Sequence, residues 1–431
     1  MVFHKYYKQK SLYKCQIELH IAAIVIALIV SFFVKPVYAE IQLIPNITLV
    51  PTIIISEEFT DNVYETPTHQ QYDFITQVRP GVGLTYSAPI GDANLNYEFS
   101  YRKFLYRREN EEQIHSLASR GLFRLINDFL FLDISDNFRR VALDVTRDTT
   151  SVSLFSNQTD ENTASVSPYF LYHLGNKTTL KTGYRFSDIR YWDPAGIDRM
   201  EHRAFTDLTY EVLPRLTVTG SYYYNETDAQ VDNFRRNEVS GEVRYEYADR
   251  SFIYGQIGNS WQILSSGKRT SNLLWRAGLT HEFNFITISL ESWSRYTDTP
   301  LAIGTKETYY VGKIEKRYNT ITVGFNTTFT EYYYPDDINH KQQRLKFTAT
   351  TNYILLPNVT ANLLLSGERS SVTVVGSYPY QFAINANLNI ALKNNLSLNL
   401  NYIGYSSMYS VFDLSNSRDI NRIIFEIKKN F

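Results

Sequence analysis

The chain reads as an all-β protein: a transmembrane antiparallel up-and-down β-barrel of about 20 strands (18–22), preceded by a cleaved signal peptide. Three observations predict this. Apolar and polar residues alternate with period two in runs of roughly ten to fourteen residues from about residue 44 to Phe431, which puts one residue set on each face of a strand. The connections alternate between tight turns and longer polar loops, the pattern of outer-membrane barrels with short periplasmic turns. Aromatic residues make up 15% of the chain, enough for two girdles at the membrane interfaces. The mean hydropathy is −0.29, as expected of a wall with only one apolar face.

Residues 1–39 read as the signal peptide. Lys5, Lys8, Lys10 and Lys14 precede an apolar run, Ile21 to Val34, and Val37-Tyr38-Ala39 forms an A-x-A-like cleavage site. A retained anchor needs about 20 apolar residues, more than this run supplies. The barrel domain then occupies 40–431. Cys15 is the sole cysteine and leaves with the signal, so the mature chain has no disulfide and no thiolate metal site. Loss of five lysines and one acid moves the net charge from −1 to about −5. No basic domain remains, which excludes a nucleic-acid binder.

A strand at about 44–60 opens the barrel. Nine hairpins follow, turning near residues 89–92, 126–128, 175–177, 213–215, 248–250, 281–284, 317–319, 356–358 and 393–395, where Asn, Asp, Gly and Pro concentrate. The C-terminal half alternates most cleanly. Phe382, Ile384, Ala386, Leu388 and Ile390 face one way, and Asn385, Asn387 and Asn389 the other. After the Lys393-Asn394-Asn395 turn, Leu396, Leu398, Leu400 and Tyr402 alternate with Ser397, Asn399 and Asn401. Outer loops are expected near 61–72, 108–112, 142–161, 193–201, 228–235, 265–270, 298–306, 335–341, 371–378 and 409–418. The longest, 142–161, either lies on the surface or folds inward as a constriction. Both termini are periplasmic. A sandwich or propeller would explain neither the loop alternation nor these long aromatic strands.

The last strand places Ile423, Phe425, Ile427 and Phe431 on one face. It resembles the terminal signal read by the barrel-assembly machinery, with Lys429 where an aromatic is usual. The resemblance assigns the assembly signal to Phe425, Ile427 and Phe431, and makes that machinery, with outer-membrane lipid, the expected partners.

A more specific likeness lies in the N-terminal third. Glu57-Glu58-Phe59-Thr60-Asp61-Asn62-Val63-Tyr64, the run Asp73 to Val82, Leu95 to Tyr101, and His115-Ser116-Leu117 leading into Asp128 to Asp133 resemble the PEP-CTERM/exosortase-system-associated outer-membrane β-barrel family. That family is similar to β-barrel porins of exopolysaccharide loci. The likeness covers most of the mature chain and is sharp over about residues 45–140. It implies a Gram-negative outer-membrane barrel near exopolysaccharide export, with polysaccharide or export proteins as further partners, and it carries no catalytic residues.

Chemistry-bearing motifs are few. The six mature histidines (His69, His115, His173, His202, His281 and His340) make no two-His metal spacing on a strand, and phosphate loops, zinc motifs and nucleophile elbows are absent. Asp336, Asp337 and His340 share one outer loop, the best position for a rim hydrolase, but this is also ordinary turn chemistry. Glu57, Glu58 and Asp61 could offer oxygens to Ca²⁺, but their spacing fits no calcium loop. Thr60-Asp61-Asn62 fits turn capping. The expectation is a non-enzyme without cofactor or metal. Alternation assigns to the lumen Arg185, Arg203, Asp207, Glu211, Glu238, Glu242, Arg244, Glu246, Arg276, Glu291, Lys313, Glu315, Arg317, Arg344 and Lys346, with Asn385, Asn387, Asn389, Asn399 and Asn401. Acids crowd 207–246 and bases 313–346. The two blocks either set a transverse field across a pore or neutralise each other in salt bridges. The functional expectation is a passive hydrophilic pore associated with exopolysaccharide export. The alternative is a surface or assembly protein that binds a partner through its loops.

Overall fold

A computed structural model describes residues 41–44, 46–107, 111–143, 158–334, 337–371, 378–410 and 417–431. The signal-peptide assignment, the centre of the 142–161 loop and Asp336 lie outside the described residues, as do the side chains of Asp337 and His340. The strands are β1 (Ile41–Ile44), β2 (Ile47–Thr60), β3 (Asp73–Ala88), β4 (Gly91–Phe104), β5 (Glu111–Ile126), β6 (Leu130–Ala142), β7 (Gln158–His173), β8 (Thr178–Tyr191), β9 (Arg199–Leu213), β10 (Leu216–Ala229) and β11 (Phe234–Ala248). The series continues with β12 (Ser251–Leu264), β13 (Arg269–Phe283), β14 (Ile286–Thr299), β15 (Ala302–Arg317), β16 (Ile321–Tyr334), β17 (Asp337–Leu356), β18 (Val359–Ser370), β19 (Tyr380–Ala391), β20 (Leu396–Met408) and β21 (Arg418–Asn430).

From β2 onward each strand pairs antiparallel with the next, and β21 pairs back onto β2, from Thr52 opposite Asn430 to Thr60 opposite Arg422. The result is a closed barrel of 20 strands, as the alternation predicts. Closure matters because an open edge would leave a row of backbone groups unpaired in lipid. The seam is tied at the long-loop end. Asp61 accepts from the Asn421 backbone N–H at 2.8 Å, and Asn62 Nδ2 donates to the Asp419 carbonyl at 2.9 Å.

Three expectations need correction, the first being the 335–341 loop: β16 reaches Tyr334 and β17 starts at Asp337, so most of that segment is strand. The first strand does not run unbroken from 44. Asn46 sits at φ 76°, a left-handed position that Asn tolerates, and the chain doubles back so that the short β1 pairs with residues 47–49 of β2. The 298–306 segment is not a loop. β14 reaches Thr299 and β15 starts at Ala302, so the reversal is confined to Pro300-Leu301.

At the short-turn end the reversals use left-handed residues. Asn394 and Asn395 lie at φ 59° and 55°, and Asp128, Arg215 and Arg250 at 57°, 73° and 55°. Two consecutive positive φ values match the right-handed twist of the flanking strands. Prolines occur where the ladder lapses. Pro80 and Pro168 fall in breaks of the β3–β4 and β7–β8 registers, where a missing N–H costs little.

The outward face carries an exposed apolar band that includes Ile257, Leu273, Leu290, Ile314, Leu363 and Leu400. Near the short turns a ring of exposed aromatics follows: Tyr172, Tyr210, Tyr245, Phe283, Tyr318 and Tyr353. This is the interfacial girdle. Two hollows on this face, about 740 and 580 Å³, lie among Phe325, Phe347, Leu365 and Phe382, and among Ile253, Leu279, Leu290 and Phe329. Lipid chains would fill them.

Candidate functional site: the lumen wall and an inward hairpin

Cross-strand register gives the facing of every strand, because paired residues share a face. One continuous set runs from Asp207 through Ser221, Ser240, Gln256, Arg276 and Trp293. It continues through Tyr309, Thr330, Arg344 and Ser370. The five Asn positions and Glu426 belong to the same face. All twenty residues that alternation assigned to the lumen share it. Phe425 and Ile427 lie on the opposite, lipid face. Phe431 follows the end of β21, and its N–H donates to the Pro51 carbonyl.

The charges on this face are paired locally. Arg236 meets Glu238 at 2.8 Å, Arg244 meets Glu246 at 3.4 Å and Arg276 meets Glu291 at 2.8 Å. Lys313 and Arg317 flank Glu315 at 3.1 and 2.7 Å, Arg344 is bound to Glu368, and Lys346 stands opposite Glu368 in register. Asp207 instead accepts from Ser221 and Tyr223 at 2.7 and 2.8 Å, while Arg203 is held by Asn225. Alternation within a strand places an Arg two residues from an acid, on the same face. Of the two electrostatic readings, mutual neutralisation therefore describes most of these residues, and the opposed acid and base blocks dissolve into neighbours. Around the seam, Asn389 donates to Asn399 at 2.8 Å, Asn399 donates to Glu426 at 3.3 Å, and Glu426 binds Arg79.

Two hairpins leave the wall at the loop end. The β5–β6 ladder ends at Leu117 opposite Phe138 although both strands continue, and Arg140, of outward parity, bonds Glu112 on the lumen face. The second is β14–β15. The β13–β14 ladder ends at Trp275 opposite Ser294, although both strands continue toward the loop end. Past Ser294 the β14–β15 hairpin turns inward across the lumen faces of its neighbours. Tyr296 bonds Asn272 of β13, and its ring lies 4.7 Å from the Arg236 guanidinium of β11. Gly304 sits under the Gln262 side chain of β12, 3.1 Å from an ideal Cβ, and its φ of +66° suits the bend. Pro300, at the tip, accepts from the Ile197 N–H of the β8–β9 connection at 2.8 Å. The contact surface is buried and polar, with Ser260 and Thr305 at 0%, Gln262 at 2% and Thr299 at 7% exposure. The Ser260, Thr305 and Gln262 side chains each leave a buried oxygen unpartnered within the protein. An interface of this kind holds water more readily than a packed apolar one.

Sequence reasoning missed this hairpin, although it left a signal. The outward-parity set of β14 is Ile286, Ile288 and Leu290, then Ser292, Ser294, Tyr296 and Asp298. The matching set of β15 is Gly304, Lys306 and Thr308 before Tyr310. Loss of the apolar set on one face marks where these strands stop facing lipid.

Near the first residues of the series, Asp61 and Asn62 serve as caps: Asn62 Oδ1 accepts from the Thr66 N–H at 3.0 Å. Among the described residues no group of three His, Cys, Asp or Glu side chains could hold a metal ion. His115, His202 and His281 face outward, each bonded to a tyrosine hydroxyl, from Tyr97, Tyr184 and Tyr247.

A closed wall with an apolar exterior, an aromatic ring at one edge and a polar interior can be solvated only by a bilayer outside and water inside. The chain is a Gram-negative outer-membrane β-barrel. Solved structures agree at the level of fold. The barrel is similar to the siderophore receptor PirA from Pseudomonas aeruginosa, with 10% identity, 89% of this chain and 80% of that one covered, and a TM-score of 0.51. It is also similar to the FrpB iron transporter from Neisseria meningitidis (F5-1 variant), with 9% identity, 88% and 82% covered, and a TM-score of 0.54. A third similar structure is the ferric enterobactin receptor PfeA (R480A mutant) from Pseudomonas aeruginosa, with 10% identity, 89% and 81% covered, and a TM-score of 0.52. No family model and no curated protein matches the chain.

Proposed function

We propose that the barrel is a passive hydrophilic pore and that its solute is a hydrated, weakly charged polymer, an exopolysaccharide. The observation that carries this reading is the lumen wall itself. Twenty strands exceed the ~16–18 at which porins already enclose an aqueous channel, and the wall facing that space is polar with its charges largely neutralised pairwise. A pore for a charged solute is served by an unbalanced field. A pore for a neutral glycan needs many donors and acceptors with little net attraction. The amides at Asn385, Asn387, Asn389, Asn399 and Asn401 offer both in each side chain. The likeness of residues 45–140 to the exosortase-associated barrels supports the same solute class, and export proteins would be the partners.

Liposome swelling tests this directly. Vesicles carrying the folded barrel should swell in iso-osmotic raffinose and stachyose, while vesicles without protein should not. Permeability to neither sugar would contradict the pore reading.

A further inference from the structure

At the root of the inward hairpin the lumen wall forms a cavity of about 440 Å³, lined by Tyr223, Gln256, Arg276, Glu291, Trp293 and Arg295 among others. Its volume lies within the ~300–1,000 Å³ of small-molecule sites. We propose that this cavity is a binding site for an uncharged pyranose oligosaccharide, a station for the glycan on its way past the hairpin. The inference rests on the pore reading for its role, but not for its chemistry.

Three features define that chemistry. The first is a pair of rings on the water-facing side of the wall. Trp293 and Tyr309 pack against each other tilted by 36° with centroids 3.8 Å apart, and the Arg295 guanidinium lies 4.9 Å from the Trp293 ring. A rigid aromatic surface beside water has the shape and polarity to take the C–H face of a sugar ring, burying apolar area at little cost in side-chain freedom. The second feature is a fixed set of hydrogen-bonding groups around the rings. Glu291 accepts from the Tyr254 hydroxyl at 2.6 Å and from Arg276 at 2.8 Å. Gln256 donates to Ser240 at 2.9 Å, which orients its amide. These groups are held by one another and retain lone pairs and N–H bonds for sugar hydroxyls.

The third feature is charge. The ions that line the cavity already have partners: Arg276 with Glu291, Arg295 with Glu307 at 3.4 Å, and Glu238 with Arg236. A polyanion would have to displace a carboxylate, whereas a neutral sugar bonds to the pairs as they stand. The opposite arrangement, a run of unpaired Arg along the rings, would have favoured an acidic glycan.

The test is isothermal titration of the full barrel folded in detergent, its fold checked by heat-modifiable gel mobility. The probes are cellohexaose, maltohexaose and N-acetylated chitohexaose as neutral chains, and hexagalacturonate as an acidic one. At least one neutral probe should bind saturably, with hexagalacturonate about tenfold weaker or more. Trp293→Ala should weaken the neutral probe about tenfold, and Trp293→Phe by less than about threefold. Trp261→Ala, on the lipid face, should change nothing. If Trp293→Ala fails to assemble, Gln256→Ala, which leaves the rings in place, should also weaken binding. Absence of binding by every neutral probe, equal affinity for the acidic one, or unchanged affinity in both lumen variants would overturn the site. Sugar binding by a barrel that leaves liposomes impermeable would keep the site and remove the pore. Permeability without sugar binding would do the reverse.

Discussion

Leu398 and Asn399 are adjacent in the chain and opposite in environment. Leu398 stands in register with Ile390 and Ile427 on the lipid face, while Asn399 bonds Asn389 and Glu426 inside. The same contrast holds for Leu363 and Asn362. An Arg on the lipid face near mid-membrane costs about 2–4 kcal/mol. Leu363→Arg should therefore reduce the yield of heat-modifiable, folded barrel, Leu398→Arg, only three residues past the Asn395 turn, should do so less, and Asn399→Arg and Asn362→Arg should not. Equal yields from the two pairs would show the face assignment to be wrong. Asp73 is a second diagnostic residue. It is fully buried, and its carboxylate accepts from the N–H groups of Phe74, Leu105, Tyr106 and Arg107 at 2.8 to 3.0 Å. Each orphaned buried donor costs about 1–3 kcal/mol. Asp73→Ala should thus release the β4–β5 connection while the wall persists, so that trypsin cuts the folded barrel at Arg107. Unchanged resistance would mean that the carboxylate does not hold that segment.

At the scale of elements, what was legible in the sequence was whatever repeats. Strands showed themselves because a lipid face demands an apolar residue at every second position. Turns such as Asn394-Asn395 were visible because few residues tolerate positive φ. The lumen set followed from the same alternation, so Arg276 and Glu291 could be placed on one face from spacing alone. Their pairing with each other could not, because it depends on the β13–β14 register. Thr, Asp, Pro and Gly at the tip of the β14–β15 hairpin are turn formers and suggest a loop, yet the backbone keeps its ladder through Thr297 opposite Thr305. Its inward course depends on contacts with the β8–β9 connection, β11 and β12, more than thirty residues away in the chain. A disulfide tests that course. The sole cysteine, Cys15, lies upstream of β1 in the sequence, and backbones joined by an N–H···O bond bring side chains within bridging reach. Ile197→Cys combined with Pro300→Cys should cross-link under mild oxidation without loss of folded barrel. Two persistently free thiols in the folded protein would place the hairpin elsewhere.

The whole molecule is a wall with three jobs assigned to three surfaces. The outer face meets lipid, the seam between β2 and β21 removes the last free edges, and the inner face is polar and, under the proposed function, meets the solute. Because Arg and acid alternate on that inner face, the lumen is polar without a strong field, which suits passage of weakly charged polymers and predicts little preference between cations and anions. The β14–β15 hairpin leaves the wall, as the loop end of the β6–β7 hairpin does, and its polar, incompletely bonded contact surface lets it hold its place without an apolar core. Under the proposed function the barrel is an open channel narrowed by the β14–β15 hairpin. The most direct measurement is single-channel conductance in planar bilayers, comparing the native protein with a variant in which Tyr296–Lys306 is replaced by a two-residue turn. The native barrel should give stepwise, weakly ion-selective currents, and the shortened one larger steps. Silent bilayers from well-folded protein in both forms would contradict the open channel.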